Sequence, residues 1–179
     1  MLVRRAGGLR WSLDGQRIAY MRPDPASGDA ILVARADAGD ERVLFPAAPG
    51  IHAHEPAWSP VSDDIAYFTS TPSSGVQAVR QTNSRGEGRP GSVPLEIGAV
   101  EGLAFSWDGR QLAIGRSPGG SEGEILVADF AKATGRRAVR LGPFVGVRGL
   151  AWTPDDARLV YGIVHYESRI MLFEGLDLR

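Results

Sequence analysis

The chain has 179 residues with 43% apolar content, which is enough for a single well-buried domain over residues 1–179. Its 20 basic and 21 acidic residues leave a net charge of -1, which argues against nucleic acid or an anionic membrane as a partner. The absence of cysteine excludes disulfides, thiolate metal sites and cysteine nucleophiles.

The first residues contain two arginines, Arg4 and Arg5, but no apolar core of the length a signal peptide needs. No later stretch is long and apolar enough to insert into a membrane. We therefore expect a cytoplasmic protein, or a periplasmic one if the natural N-terminus lies upstream.

A ten-residue segment recurs four times along the chain. Its leading aromatic residues stand 47 residues apart, with no insertion between copies, and an aliphatic residue follows each at a constant distance. We expect these eight positions to form the repeated core: Trp11, Trp58, Phe105 and Trp152, with Ile18, Ile65, Leu112 and Leu159. A constant period of this size is typical of solenoids and propellers.

Each copy predicts a β-hairpin, because a polar turn separates the aromatic residue from the aliphatic one. Asp14-Gly15 and Asp108-Gly109 are strong turn dipeptides, whereas the second and fourth copies lack the glycine. Further apolar runs predict third strands at 31–34, 78–79, 125–128 and 170–173, and fourth strands at 42–45, 93–97 and 138–141. Four short antiparallel strands make one propeller blade.

The second strand of the first copy is apolar on both faces, with Ile18 and Tyr20 on one and Ala19 on the other. A sheet with one face in water alternates apolar with polar residues instead. This pattern favours a blade packed between two neighbours.

The recurring segments resemble the TolB-type propeller repeat, in which Trp-Ser-Pro-Asp-Gly is followed by Ile-Ala and an aromatic residue. Each copy departs from that pattern: Leu13 and Trp107 replace the proline, Val61-Ser62 replaces Asp-Gly, and Asp156 replaces the glycine. The resemblance covers nearly the whole chain. It implies an all-β propeller, usually of six or more blades, used in protein interaction or sensing.

The repeats cover about residues 7–46, 54–98, 101–142 and 148–179, and the last copy has no fourth strand of its own. Residues 1–5 are suited to complete that blade and close a four-blade ring. Alternatively, the chain forms part of a six- or seven-bladed propeller, with additional blades from a longer chain or from self-association. Length does not decide between these arrangements.

Candidate binding residues lie at the rim or the channel mouth. His52, His54, Glu55, Glu101 and Arg148 are near the starts of first strands, and His54, Glu101 and Arg148 share one repeat position whose residue varies. His165 is in the loop between the second and third strands of the last copy, which shares that rim. His52 and His54 alternate on an extended segment, so both imidazoles face one side, and His165 is the nearest candidate for a third metal ligand. Solvated loop histidines explain the same pattern.

We therefore expect a non-catalytic propeller that binds a protein or peptide through its rim or channel face and needs no cofactor. The first alternative is an accessory propeller of a peptidase, which gates access to a catalytic domain. The second is a metal-binding enzyme that uses His52 and His54.

Overall fold

A computed structural model describes residues 6–24, 28–87, 91–96, 98–118, 122–143 and 145–165. All regular secondary structure within these ranges is β-strand. The strands are β1 (Gly7–Trp11), β2 (Arg17–Asp24), β3 (Gly28–Arg35), β4 (Arg42–Phe45), β5 (His52–Trp58), β6 (Asp64–Thr71), β7 (Val76–Asn83), β8 (Gly91–Leu95), β9 (Gly98–Phe105), β10 (Leu112–Pro118), β11 (Glu122–Asp129), β12 (Thr134–Pro143), β13 (Val145–Trp152) and β14 (Leu159–His165).

The strands form successive antiparallel sheets in chain order. Three sheets have four strands each, β1 to β4, β5 to β8 and β9 to β12, and β13 pairs with β14 in the fourth. The all-β, four-bladed propeller arrangement predicted from the repeat is thereby confirmed. The predicted strand at 170–173 and the proposed closing segment at 1–5 lie outside the described residues.

The hairpin turns explain why each repeat places a hydroxyl residue after the aromatic one. The buried Ser12 hydroxyl donates to Asp14 Oδ1 at 2.6 Å and accepts the Arg17 N–H at 2.9 Å. Ser106 and Thr153 make the same pair of bonds in their own turns. Because these bonds satisfy polar groups where the strand ends, they stabilise the hairpin turn.

The fourth residue after the leading aromatic has a left-handed backbone conformation, with positive φ, in three of the four copies. Gly15 and Gly109 have φ of 67° and 70°, which confirms the turns predicted there. Asp156 adopts φ of 56° at the same position without being glycine. Its carboxylate accepts the backbone N–H groups of Trp107 at 2.6 Å and Asp108 at 2.8 Å, so it bonds the fourth blade to the third.

Apolar side chains pack from one blade face to the next. Ala19 and Val33 of the first blade contact Ile65 of the second, while Ile18 and Tyr20 belong to a separate cluster on the opposite face. The two-faced apolar pattern of β2 is thus confirmed. The largest cluster joins the second and third blades, and includes Phe68, Val79, Val93, Leu103, Phe105, Leu112, Ile114 and Leu126.

The residues predicted to form the repeated core differ in burial, and Trp11 is the most exposed of them. Ile18, Ile65, Leu112 and Phe105 are buried, and Trp58, Trp152 and Leu159 are partly buried against the blade clusters. Trp11 is 56% exposed. Among the described residues, extensive contacts between blades join the first to the second, the second to the third and the third to the fourth. Trp58 packs against the first blade, which precedes its own blade. No described blade lies in the corresponding place beside Trp11.

Candidate binding face

The hairpin turns that follow the four inner strands, β1, β5, β9 and β13, define what we call the hairpin face. Four large apolar side chains are exposed on it: Trp11 at 56%, Leu13 at 65%, Val61 at 63% and Trp107 at 44%. Single exposed apolar residues are common on soluble proteins, but a group of them around one opening is typical of an interaction site.

Three of these side chains, Trp11, Leu13 and Trp107, line a cavity of about 300 Å³ between the inner strands, and Val61 lines the adjoining groove. All four blades contribute to its walls, as expected for the central channel of a propeller. The lining residues are Arg10, Trp11, Leu13, Ala57, Trp58, Ser59, Pro60, Leu103, Ala104, Phe105, Trp107, Leu150, Ala151 and Trp152. Arg10 is the one charged residue in this lining, so the cavity is predominantly apolar and aromatic.

Three tryptophans of the cavity are held by hydrogen bonds from their indole N–H groups to backbone carbonyls of neighbouring blades. Trp58 Nε1 donates to the Arg10 carbonyl and Trp152 Nε1 donates to the Ala104 carbonyl, both at 3.1 Å. Trp107 Nε1 donates to the Trp152 carbonyl at 3.2 Å. These bonds join adjacent blades and fix the rings, so the cavity has rigid aromatic walls.

Trp11 occupies the same repeat position as Trp58 and Trp152 but differs in its hydrogen bonding. No described residue accepts a hydrogen bond from its indole N–H. Beside it, the Arg10 guanidinium donates to the Leu9 carbonyl at 3.0 Å and lies 3.5 Å from a Glu55 carboxylate oxygen. Trp11 and Arg10 thus both line the cavity, and Trp11 lacks the hydrogen bond to a neighbouring blade that Trp58 and Trp152 make.

A second groove of about 510 Å³ adjoins the cavity between the first and second blades. The two openings share Leu13, Trp58, Ser59 and Pro60. Within the groove the Arg17 guanidinium lies 5.3 Å from the centre of the Trp58 ring and pairs with Asp63 Oδ1 at 2.6 Å. The apolar opening is thus bordered by a polar edge, as in many protein interfaces.

The predicted histidine candidates lie at the opposite ends of the strands. His52 Nδ1 is 3.0 Å from Asp29 Oδ2, and His54 packs edge-on against Phe68 with ring centres 4.8 Å apart. Burial lowers the pKa of His54 below its usual value, with the nearby Asp29 opposing the shift and His52 adding to it. His54 is therefore mainly a packing residue, whereas His52 stays exposed with Nδ1 at hydrogen-bond distance from the Asp29 carboxylate.

Glu55 and Glu101 both take part in intramolecular contacts. Glu55 pairs with Arg10 and adopts φ of 52°, and Glu101 Oε2 accepts the Val147 N–H at 2.6 Å. Glu101 therefore joins the third and fourth blades.

The remaining two candidates are in the fourth blade. The side chain of Arg148 lies outside the described residues, and the exposed His165 ends β14 opposite Val145. Within the described ranges no three His, Cys, Asp or Glu side chains converge as metal ligands. The arrangement of the described side chains thus does not assemble the metal set considered from the sequence.

The exposed residues of the hairpin face were not among the sequence candidates. Trp11 was assigned to the core, and Leu13, Val61 and Trp107 were noted only as departures from the repeat pattern. The available signal was their chemistry: each places a large apolar side chain in a turn where the related repeat has proline or aspartate. Turn residues are usually exposed, so an apolar residue there indicates a contact surface.

The described part of the chain has no helix suited to crossing a membrane.

No protein-family model and no curated protein matches the sequence. Solved structures do match. A putative TolB from Agrobacterium tumefaciens superposes with a TM-score of 0.71 at 17% identity, over 89% of this chain and 55% of that one. The chain therefore has a β-propeller fold similar to that of this structure.

Two further structures show how widely this propeller fold is used. A chain of a nidogen/laminin complex matches with a TM-score of 0.66 at 18% identity, over 87% of this chain and 54% of that one. A prolyl endopeptidase matches with a TM-score of 0.60 at 20% identity, over 84% of this chain and 24% of that one. This propeller therefore spans about half the length of the first two chains and about a quarter of the third.

Proposed function

We propose that this chain is a non-catalytic interaction module that binds a protein or peptide through its hairpin face. One observation carries the proposal: Trp11, Leu13 and Trp107 are exposed around an aromatic cavity, and Val61 is exposed in the groove that adjoins it. Folding leaves these side chains in water, and a partner that covers them gains the hydrophobic stabilisation that folding does not supply.

The composition of the face is suited to tight contact with a partner. Tryptophan is enriched among residues that dominate binding energies, particularly where rings are held in place before the partner arrives. The indole bonds of Trp58, Trp107 and Trp152 provide such prior ordering. The polar edge at Arg17 and Asp63 offers the charged rim that surrounds most interface cores.

The similar structures support this function by analogy. One of them is part of a nidogen/laminin complex, so the fold is used in a protein complex there. A second candidate, an accessory propeller of a peptidase, is favoured by the similarity to a prolyl endopeptidase. A peptidase catalytic domain encoded in the same reading frame or beside it would favour that candidate.

The test is selection of binders from a phage library of random 12-residue peptides against the purified protein. Selected peptides are then titrated against wild type and against the double variant Leu13→Ser/Val61→Ser. Both side chains are more than 60% exposed, so we expect little loss of stability. Affinity should fall at least tenfold, because each serine removes apolar contact area from the face.

A matched control replaces two equally apolar, exposed valines away from the face, as Val43→Ser/Val76→Ser. This variant should bind the selected peptides as wild type does. Equal binding by the hairpin-face variant, or failure of the library to yield any specific peptide, would refute the proposed function.

A further inference from the structure

A cluster of arginines lies beside the groove of the hairpin face, between the first and second blades. It lines a pocket of about 170 Å³, which we call the basic pocket. Four cations stand there against a single carboxylate, that of Asp40, and the buried Ser84 completes the polar lining. The arginines are Arg17, Arg35, Arg42 and Arg85.

The basic pocket is continuous with the hairpin face. Arg17 begins β2 and Arg35 ends β3 opposite it, so both lie at the end of the strands that carries the β1–β2 turn. The pocket shares Arg17 and Arg85 with the groove of about 510 Å³, and that groove shares Leu13 and Trp58 with the aromatic cavity. A single extended segment can therefore contact apolar and cationic surface together.

Arg85 presents a guanidinium that is free to bind a ligand. Among the described residues its side chain makes no hydrogen bond and no ion pair, and it is exposed. The turn that carries it is ordered, because Asn83 Oδ1 accepts the N–H groups of Arg85 at 3.0 Å and Glu87 at 2.8 Å. Glu87 lines neither the groove nor the basic pocket.

Arg17 and Arg35 form a like-charge pair across β2 and β3. Like charges directly opposite each other destabilise a sheet. Asp63 compensates Arg17 at 2.6 Å, whereas Arg35 lies 3.3 Å from Asp37 in a pair whose side chains are both more than 60% exposed, where solvent weakens the attraction. An anion bound in the pocket would relieve this repulsion.

The ligand that fits such a pocket is an oxyanion. A guanidinium has five N–H donors and no acceptor, and it binds carboxylates through paired hydrogen bonds. The carboxylates that line the groove and the pocket, those of Asp14, Asp40 and Asp63, all have partners within the protein. The unused side-chain donors are therefore cationic and select for negative charge.

We infer that the partner segment is an acidic peptide, whose aspartate or glutamate side chains enter the basic pocket while its apolar side chains reach the aromatic cavity. The inference rests on the proposed function and adds the chemical class of the partner. Arg85 is the main anchor, because its guanidinium gives up no internal partner when it binds a carboxylate.

The test titrates capped tetra-aspartate and tetra-asparagine into ¹⁵N-labelled protein and follows the arginine Nε–H resonances by NMR. Tetra-aspartate should bind and shift the Arg85 resonance, which is assigned by its loss in Arg85→Gln. Tetra-asparagine has the same size without the charge and should bind at least tenfold more weakly. Equal binding of the two peptides, or no binding of tetra-aspartate, would overturn the inference.

Inorganic phosphate is the third probe, because it carries the charge without a peptide. It should compete with tetra-aspartate for the same arginine resonances. Phosphate binding without tetra-aspartate binding would overturn the acidic peptide and assign the pocket to a small anion instead.

A pair of arginine variants tests the location of the site. Arg85→Gln should weaken tetra-aspartate binding about fivefold, as for loss of one ion pair. Arg136→Gln is the matched control, since Arg136 is also exposed, has no side-chain hydrogen bond or ion pair among the described residues, and lies on β12 outside the pocket. It should bind as wild type does, and an equal loss in both variants would overturn the assigned pocket.

The two proposals fail in different ways. If the library peptides depend on Leu13 and Val61 but not on Arg85, and tetra-aspartate does not bind, the inference is wrong and the proposed function stands. If tetra-aspartate depends on Arg85 but no peptide depends on Leu13 and Val61, the proposed function is wrong and the basic pocket is an acidic-peptide site of its own.

Discussion

Alanine substitution at two equivalent repeat positions, Trp11 and Phe105, should have very different effects on stability. Phe105 is 9% exposed and belongs to the cluster between the second and third blades. Its replacement by alanine should cost about 3–5 kcal/mol, because a buried ring is lost and a cavity remains.

The cost at Trp11 is worked from its exposure. Full burial of a large apolar side chain contributes about 1.5–3 kcal/mol, and Trp11 is more than half exposed and makes no described indole hydrogen bond. Trp11→Ala should therefore cost about 1 kcal/mol. The same repeat position is thus expected to contribute strongly to stability in the third blade and only weakly in the first.

Urea unfolding followed by far-ultraviolet circular dichroism measures both free energies, with equal m-values as the check that the folded and unfolded states are unchanged. Thermal unfolding should show a decrease in Tm of about 2–4 °C for Trp11→Ala and several times more for Phe105→Ala. An equal loss in the two variants would refute the reasoning. Trp11 would then be covered in solution by another blade, and its indole would not be available to a ligand.

Three further changes test other parts of the structure. Glu55→Gly should be about 1 kcal/mol more stable than Glu55→Ala in urea unfolding, because both lose the ion pair but only glycine accepts φ of 52° without strain. The free energy of unfolding of the wild type should fall as pH decreases below about 6.5, because burial lowers the pKa of His54 and the unfolded state therefore binds the proton first. His54→Phe should weaken this pH dependence. The same pH dependence in the variant and the wild type would contradict the assignment to His54. Arg116→Met should lower the free energy of unfolding by about 3–5 kcal/mol, because the buried Glu124 carboxylate loses the guanidinium that lies 2.6 Å away. The double variant Arg116→Met/Glu124→Leu should recover most of that free energy, because it removes the buried charge as well.

Much of the blade was predictable because its determinants are local. A turn dipeptide such as Asp14-Gly15 and a hydroxyl residue that bonds within its own turn act over fewer than ten residues. Their recurrence at a constant spacing predicted the antiparallel hairpins, and the apolar pattern of β2 predicted that both blade faces are packed. The left-handed Asp156 was not predictable, since its carboxylate bonds to the neighbouring blade at Trp107 and Asp108.

The candidate site was harder to predict because equivalent residues differ in what covers them. The rim residues were chosen for variability, yet His54 packs on Phe68 and Glu101 bonds to Val147. The exposed residues of the hairpin face include Trp11, which the repeat pattern had assigned to the core. Whether a side chain is core or surface depends on the neighbouring blade, and that information is absent from a single repeat.

The amino-acid sequence by itself determined the all-β class, the repeat, the hairpins and the number of blades in this chain, because these follow from short-range patterns and a fixed period. Only the tertiary structure decided which tryptophans are held and which is free. Trp58 and Trp152 donate to carbonyls that lie 48 residues away in the chain, and such partners meet only when blades pack. Trp11 has the same sequence context and no described partner, so the difference between structural and available residues arises from packing alone.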